Sequence, residues 1–205
     1  MATVRALACA ERETFADLLE SLTPQQWDAP SLCAGWTVRD VATHTIAYLG
    51  QGRIALARNM FAARWDVGRL NANALARLGS VQPGRLIELM RRAEPTGAGA
   101  LYGGRVALIE CLVHQQDIRR PLRMPRAVDP EALRAALAFA RISPVIRGAR
   151  RTRGLRLVAT DLDWAAGRGP EVRGTGEALL LAMTGRAAHL SGELAGGGVA
   201  LLDRR

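Results

Sequence analysis

A proline-rich stretch near the middle of the chain, PLRMPRAVDP at residues 121–130, divides the sequence into two parts of different character. Three prolines within ten residues interrupt both helices and strands, because proline lacks the amide hydrogen and restricts the backbone. Apolar residues recur at helical spacing before this linker, whereas short alternating segments follow it. The sequence therefore predicts an α+β chain with two domains, residues 1–125 and 126–205.

Segments with apolar residues at helical spacing predict a four-helix bundle in the first domain. Thr37, followed three residues later by Asp40, resembles a capping box at the start of the second helix. Residues 66–82 lack a clear period and are expected to be irregular or weakly helical, and the glycine-rich stretch 95–104 is expected to be a loop. The predicted helices cover residues 3–22, 37–65, 83–94 and 105–120.

The second domain is predicted to mix helices and strands. Asp129 and Pro130 have the types preferred at a helix N-cap and first turn, so a helix is expected from there through about Arg141. The segments GLRLVATDLDW and PEVRGTG are predicted strands, and GEALLLAMTGR is a predicted short helix. The last ten residues, GGGVALLDRR, are predicted to form an edge strand. The second domain is therefore expected to be a small α/β unit.

All 28 basic residues are arginine, and 19 acidic residues leave a net charge of +9. Such a charge can attract nucleic acid, membrane headgroups or an anionic substrate. The densest cluster, RRTR at residues 150–153, has no neighbouring aromatic residues for base stacking, so a solvated arginine-rich surface is the simplest explanation. We therefore expect no nucleic-acid partner.

Cysteine usage and hydrophobicity favour a cytoplasmic protein. The three cysteines are an odd number without paired spacing, which argues against a disulfide scaffold and for a reducing compartment. The first residues carry charge too early for a signal peptide, and no uncharged apolar stretch is long enough for a transmembrane helix. No membrane partner is therefore expected.

Three polar residues in the predicted bundle form a candidate metal site. Glu110 and His114 are four residues apart on one helix, so both can reach a single ion. His44, one turn after Val41 on the inward side of the second helix, is the candidate third ligand. Two histidines and a carboxylate leave an open coordination position, as in catalytic zinc sites. A glutamate and a histidine at this spacing also occur without metal, so the residues alone leave both interpretations open.

Two longer stretches carry a more specific signal. LTPQQWDAPSLCAGWTVRDVATH at residues 22–44 and ECLVHQQDIRRPL at residues 110–122 resemble two signature regions of the mycothiol-dependent maleylpyruvate isomerase family. Residues 154–186 are similar to the C-terminal domain of that family. The resemblance implies a DinB-like four-helix bundle and a C-terminal domain of sterol-carrier-like shape. It also implies a divalent metal, usually zinc, with the ligands His44, Glu110 and His114.

The resemblance further implies an enzyme that uses mycothiol, the low-molecular-weight thiol of actinobacteria. In such an enzyme a metal-bound thiolate attacks an electrophilic small molecule and catalyses cis–trans isomerisation. A dicarboxylate substrate needs cationic partners, for which Arg186 is our candidate, although a charge complementing a helix C-terminus explains Arg186 equally well. A mycothiol S-transferase in detoxification and a non-catalytic metal-binding protein in regulation are the alternatives.

Single residues outside these motifs are expected to have ordinary structural roles. Asp117, one turn beyond His114, can orient a ligand as a hydrogen-bond acceptor. Cys33 is expected to be a buried free thiol, since free cysteine is among the most buried residue types. His189 has no partner at ligand spacing and is expected to be an ordinary surface or loop histidine.

Overall fold

The computed structural model describes residues 2–49, 51–78, 81–92, 99–144 and 146–202. These residues form helices and one three-stranded sheet, which confirms the α+β class predicted from the sequence. The chain divides into two compact units, which we call the N-terminal unit (Ala2–Pro125) and the C-terminal unit (from Arg126 onward). No helix of the described residues combines the length and apolar character needed to cross a membrane.

Most of the described residues of the N-terminal unit are helical. Its helices are α1 (Val4–Glu20), α2 (Pro24–Trp27), α3 (Val38–Leu49), α4 (Arg53–Ala62), α5 (Val67–Leu78), α6 (Pro83–Arg92) and α7 (Arg105–Arg119). Helix α1 contacts both α6 and α7, and α3 contacts the same two helices. These four helices therefore enclose a common apolar core, to which Phe15, Leu49 and Leu108 contribute fully buried side chains.

Local capping explains where two of these helices begin. The Thr23 hydroxyl accepts the Gln26 amide, and the Gln26 side chain accepts the Thr23 amide, so α2 begins with a complete capping box. Before α3, the Asp40 carboxylate accepts both the amide and the hydroxyl of Thr37, at 2.9 and 2.8 Å. The predicted start of the second helix at Thr37 is thus confirmed to within one residue.

The middle of the N-terminal unit differs from the prediction. The expectation that residues 66–82 are irregular or weakly helical is wrong for most of that stretch, because Val67–Leu78 form the regular helix α5. Glycine and asparagine lower the intrinsic helix propensity here, but packing of α5 against α3 compensates. Asp66 also supports the first turn, because its carboxylate accepts the Arg69 amide at 3.1 Å. The predicted second helix, residues 37–65, is instead two helices, since α3 ends at Leu49 and α4 begins at Arg53, and Gly50 between them lies outside the described residues.

The C-terminal unit joins three helices to the small sheet. Helix α8 (Pro130–Ile142) is capped by Asp129 as predicted, and α9 (Gly148–Arg151) and α10 (Gly176–Met183) pack with it. The strands β1 (Arg156–Ala159), β2 (Ala165–Gly167) and β3 (Glu171–Gly174) have the order β2-β1-β3. Strand β1 runs antiparallel to β2 and parallel to β3.

The predicted edge strand at the end of the chain is wrong. Val199–Leu202 form a short helix, α11, and residues 203–205 lie outside the described residues. Pairing with β3 occurs earlier, where Ala195 and Arg173 exchange two backbone hydrogen bonds. Gly198 then approaches the backbone so closely that a Cβ there would lie 2.8 Å from the Pro170 carbonyl oxygen. The Gly198 amide donates to the Glu171 carbonyl at 2.8 Å, so the chain stays against the start of β3 until α11 begins.

Candidate metal centre

Helices α3 and α7 bring the three predicted ligands together. His44 lies on α3, and Glu110 and His114 lie one turn apart on α7. The Nε2 atoms of His44 and His114 lie 3.7 and 3.2 Å from Oε2 of Glu110. All three ligand atoms lie within 4.8 Å of one another. We call these residues the metal cluster.

The donor set fits a divalent ion. Two ligands about 2.05 Å from a tetrahedral zinc ion lie about 3.3 Å apart, which is close to both measured nitrogen–oxygen distances. The His44 and His114 rings meet edge to face, with centroids 5.1 Å apart, so their two nitrogens approach the carboxylate from different directions. Both histidines are 8% exposed and the Glu110 side chain is 17% exposed. The cluster is therefore largely, but not completely, shielded from water.

Asp117 holds the second nitrogen of His114. Its Oδ2 lies 2.8 Å from His114 Nδ1, and the Asp117 side chain is completely buried. A carboxylate at Nδ1 places the hydrogen there and leaves Nε2 free to bind a metal, which is the usual arrangement behind metal-binding histidines. The contact expected between Asp117 and His114 is present.

The loop that contains the sequence CAGW, residues 33–36, also contacts Asp117. The Leu32 amide donates to the Asp117 backbone carbonyl at 2.9 Å, which fixes the loop against α7. The Cys33 thiol then donates to Asp117 Oδ2 at 3.2 Å. Cys33 is outside any disulfide, as expected, but it is half-buried rather than buried and hydrogen-bonds this carboxylate.

Cys33, His114 and Asp117 form a second group of possible metal donors within 4.8 Å. In this group the Asp117 oxygen is already shared between the thiol and the imidazole. The group containing His44 and Glu110 is therefore the better candidate for the ion, and the Cys33–Asp117 pair lies behind it.

Burial and ion pairing shift the pKa values of the cluster residues in opposite directions. Burial by itself raises the pKa of Glu110, but hydrogen bonds to His114 and His44 outweigh burial and hold that pKa well below its usual range. Burial lowers the pKa of His114, but bonds to Asp117, Cys33 and Glu110 outweigh it, so the His114 pKa lies above its usual value. Burial and the nearby Glu110 charge raise the pKa of Tyr48 to about 12.

Two aromatic side chains restrict the His44 ring. Trp36 packs at a tilt with its ring centroid 5.1 Å away, and Tyr48 stacks at 6.0 Å. Trp36 follows Cys33 in the same loop, so one loop supplies both a polar contact and an apolar wall. The bulky neighbours limit rotation of His44 and keep its Nε2 directed at Glu110.

A cavity of about 200 Å³ lies further along α3, in the same unit. Sequence reasoning missed it because most of its wall belongs to α5, which was expected to be irregular. Its lining includes amide side chains and one cation, and its residues are Ala47, Gln51, Asn59, Leu70, Asn73, Ala74, Arg77 and Leu78.

Arg186, the candidate substrate-binding cation, belongs to the C-terminal unit. Its Nη1 donates to the Thr184 carbonyl at 2.8 Å, just after α10 ends. This contact is the helix C-terminal interaction that we considered as the alternative. A role for Arg186 in substrate binding stays a prediction.

The fold and the cluster together define an α+β protein whose helical unit carries two histidines and a carboxylate at metal-binding distances. Residues 8–101 match the family model described as the mycothiol maleylpyruvate isomerase N-terminal domain. The match supports the family resemblance seen in the first sequence motif and contains His44, whereas α7 with the second motif lies beyond it.

Solved structures extend the similarity in fold to both units. A crystal structure of the mycothiol-dependent maleylpyruvate isomerase has a TM-score of 0.53 and 18% identity, and each chain is covered over 96% of its length. A histidine-to-alanine mutant of that isomerase has a TM-score of 0.57 and 15% identity over the same coverage. At these identities the structures show a shared fold. The comparison with curated protein sequences finds no match.

Proposed function

We propose that this protein is a mycothiol-dependent metalloenzyme that isomerises a small electrophilic molecule related to maleylpyruvate. The main observation in its favour is the convergence of His44, Glu110 and His114 at distances suited to one divalent ion. The matched family model supports mycothiol as the thiol and isomerisation as the reaction.

The residues of the cluster would have distinct tasks. His44, Glu110 and His114 would hold the ion, and Asp117 would keep the Nε2 lone pair of His114 directed at it. When bound, the ion supplies a positive charge that favours the thiolate over the thiol, and the thiolate is the stronger nucleophile. Trp36 and Tyr48 would keep His44 in place while substrates exchange.

A dicarboxylate substrate would need a cation to bind its carboxylate groups. Arg77 lines the cavity along α3, in the same unit as the cluster, and is therefore a second candidate beside Arg186. Arginine suits this task because its planar fork can donate two parallel hydrogen bonds to one carboxylate.

The first experiment measures metal content by mass spectrometry on untagged protein. Wild-type protein is expected to carry about one divalent ion per chain, as one three-ligand site requires. His44→Ala and His114→Ala are each expected to lose the ion, whereas His189→Ala should keep it, because His189 is exposed and lies in the other unit. Full metal content in His114→Ala would refute the ligand assignment.

The second experiment tests the reaction on the metal-loaded protein. An isomerase regenerates free mycothiol after each turnover, whereas an S-transferase consumes one thiol for each molecule of substrate. We expect conversion of maleylpyruvate with no net loss of thiol. Steady thiol consumption would instead assign the transferase reaction. Comparing KM in Arg77→Gln and Arg186→Gln then identifies which arginine contacts the substrate.

A further inference from the structure

A second concentration of charge lies in the C-terminal unit. Arg147, Arg150, Arg151 and Arg153 line a cavity of about 550 Å³, which we call the arginine cavity. This volume lies within the range of small-molecule binding sites. The lining is unusual for such a site because arginine supplies all of the lining residues found among the described part of the chain.

The sequence around the cavity arginines carries no acidic residue. Residues 132–160 contain seven arginines and neither aspartate nor glutamate. Arg147 and Arg150 form no ion pair with any carboxylate of the described residues. Elsewhere in the same unit, Arg156 and Arg173 both reach Glu171, at 3.3 and 3.2 Å. Arg147 and Arg150 therefore lack an acidic partner among the described residues, unlike Arg156 and Arg173.

Backbone contacts fix the position of the Arg151 side chain among the other arginines. Its Nη1 donates to the backbone carbonyls of Ile146 and Met183. Gly185, in a left-handed conformation at φ +92°, lies beside the guanidinium, and a Cβ there would lie 3.2 Å from Arg151 Nε. Burial lowers the pKa of Arg151, and the neighbouring arginines 186, 147 and 150 lower it further.

The backbone that carries the arginines is also fixed. Arg147 has the left-handed conformation at φ +57°, which is uncommon for residues other than glycine, and its amide donates to the Ser143 carbonyl at 3.1 Å. Gly148 packs so closely on α8 that a Cβ there would lie 2.5 Å from the Ala140 carbonyl oxygen. The arginines are therefore attached to a rigid backbone. A bound oxyanion would relieve the repulsion between their like charges without a change in that backbone.

We propose that the arginine cavity binds a small oxyanion with at least two negative charges, either a phosphate or a dicarboxylate. Guanidinium groups recognise both through paired N–H donors, and several arginines together favour a multiply charged ligand. A nucleic acid fits less well, because the lining offers no aromatic side chain for base stacking. The site requires neither metal nor thiol, so it stands independently of the proposed function.

Calorimetric titration of the full chain with pyrophosphate and with maleate tests this proposal. At least one anion is expected to bind saturably at one site. Arg147→Gln/Arg150→Gln should weaken that binding by about tenfold or more, as expected for the loss of charge-assisted hydrogen bonds. Arg58→Gln/Arg134→Gln removes the same net charge from exposed positions outside the cavity and should retain affinity within about twofold. Tighter binding of pyrophosphate identifies a phosphate ligand, and tighter binding of maleate a dicarboxylate.

Three results would overturn the proposal. They are the failure of both anions to saturate the protein at millimolar concentration, an equal loss of affinity in the control and cavity variants, and displacement of the anions by duplex DNA at physiological salt. Circular dichroism and metal content are measured on every variant. Unchanged values show that lost anion binding reflects the cavity itself rather than unfolding or a failure of the metal cluster.

Discussion

The metal cluster and the arginine cavity arrange their charges in opposite ways. In the cluster, Glu110 faces His44 and His114, while Asp117 faces His114 from behind. In the cavity, Arg151 is surrounded by other arginines. The metal cluster pairs opposite charges in a largely buried site, whereas the arginine cavity places like charges side by side.

The two charge arrangements give different kinds of evidence for a bound ligand. A balanced cluster holds its shape through its own hydrogen bonds, so its geometry alone is compatible with a polar core that binds nothing. Its functional meaning comes from the donor types and from the family match. Like charge among the cavity arginines opposes folding, and the proposed oxyanion would offset that repulsion.

Removing the central carboxylate should have the largest effect. Glu110→Gln keeps the size of the side chain but removes the negative charge that faces both histidines. We expect metal binding to be lost entirely, because an amide is a much poorer ligand than a carboxylate. Chelator competition measures this, with the exposed Glu88→Gln as a control that keeps wild-type affinity. Unchanged metal binding in Glu110→Gln would contradict the balanced cluster as a metal site.

Arg12 is a buried arginine that, like Arg151, donates to backbone carbonyls, but the nearby charge of Glu13 favours its charged form, whereas neighbouring arginines disfavour that of Arg151. Arg12 is 2% exposed, and its guanidinium donates to the Met90 carbonyl at 3.0 and 3.2 Å. Arg12→Met should reduce the free energy of unfolding by about 2 to 3 kcal/mol, since it leaves buried carbonyls at the end of α6 without donors. Urea denaturation measures the change. A loss no larger than that of an exposed arginine would show that the contact has little structural value.

Asp117→Asn should weaken metal binding without abolishing it. Replacement of a carboxylate behind a metal-binding histidine typically reduces affinity by about 10- to 100-fold. Cys33→Ser, which keeps a donor toward the same oxygen, should have a smaller effect. Affinities from chelator competition decide between them. Equal affinity in Asp117→Asn and wild-type protein would remove Asp117 from the metal centre.

Local spacing accounts for the part of the cluster that could be predicted from the sequence. Glu110 and His114 share a helix face because they are four residues apart, which requires no knowledge of tertiary structure. The contact between Cys33 and Asp117 could not be predicted, because these residues are 84 positions apart and meet through an irregular loop. Helix α5 was missed for a related reason, since packing against α3 stabilises a segment of low intrinsic propensity.

The contacts of the arginine cavity could not be predicted from local sequence either. The RRTR cluster is visible in the sequence, where a solvated surface explains it adequately. The sequence gives no sign that the Met183 carbonyl, 32 residues later, helps to fix the Arg151 guanidinium. Fixed position, rather than charge alone, distinguishes a binding site from a charged surface.

The smallest expected effect tests the difference between the arginine cavity and the metal cluster most directly. Arg150→Gln should leave the free energy of unfolding within about 0.5 kcal/mol of wild type, with a slight increase at low salt, because it relieves repulsion on Arg151. Added salt should abolish that increase by screening the charges. Thermal unfolding at two ionic strengths measures both, with Arg134→Gln as the control expected to show no salt-dependent gain. A clear loss of stability in Arg150→Gln would mean that this arginine stabilises the folded protein. The contrast between the arginine cavity and the metal cluster would then be lost.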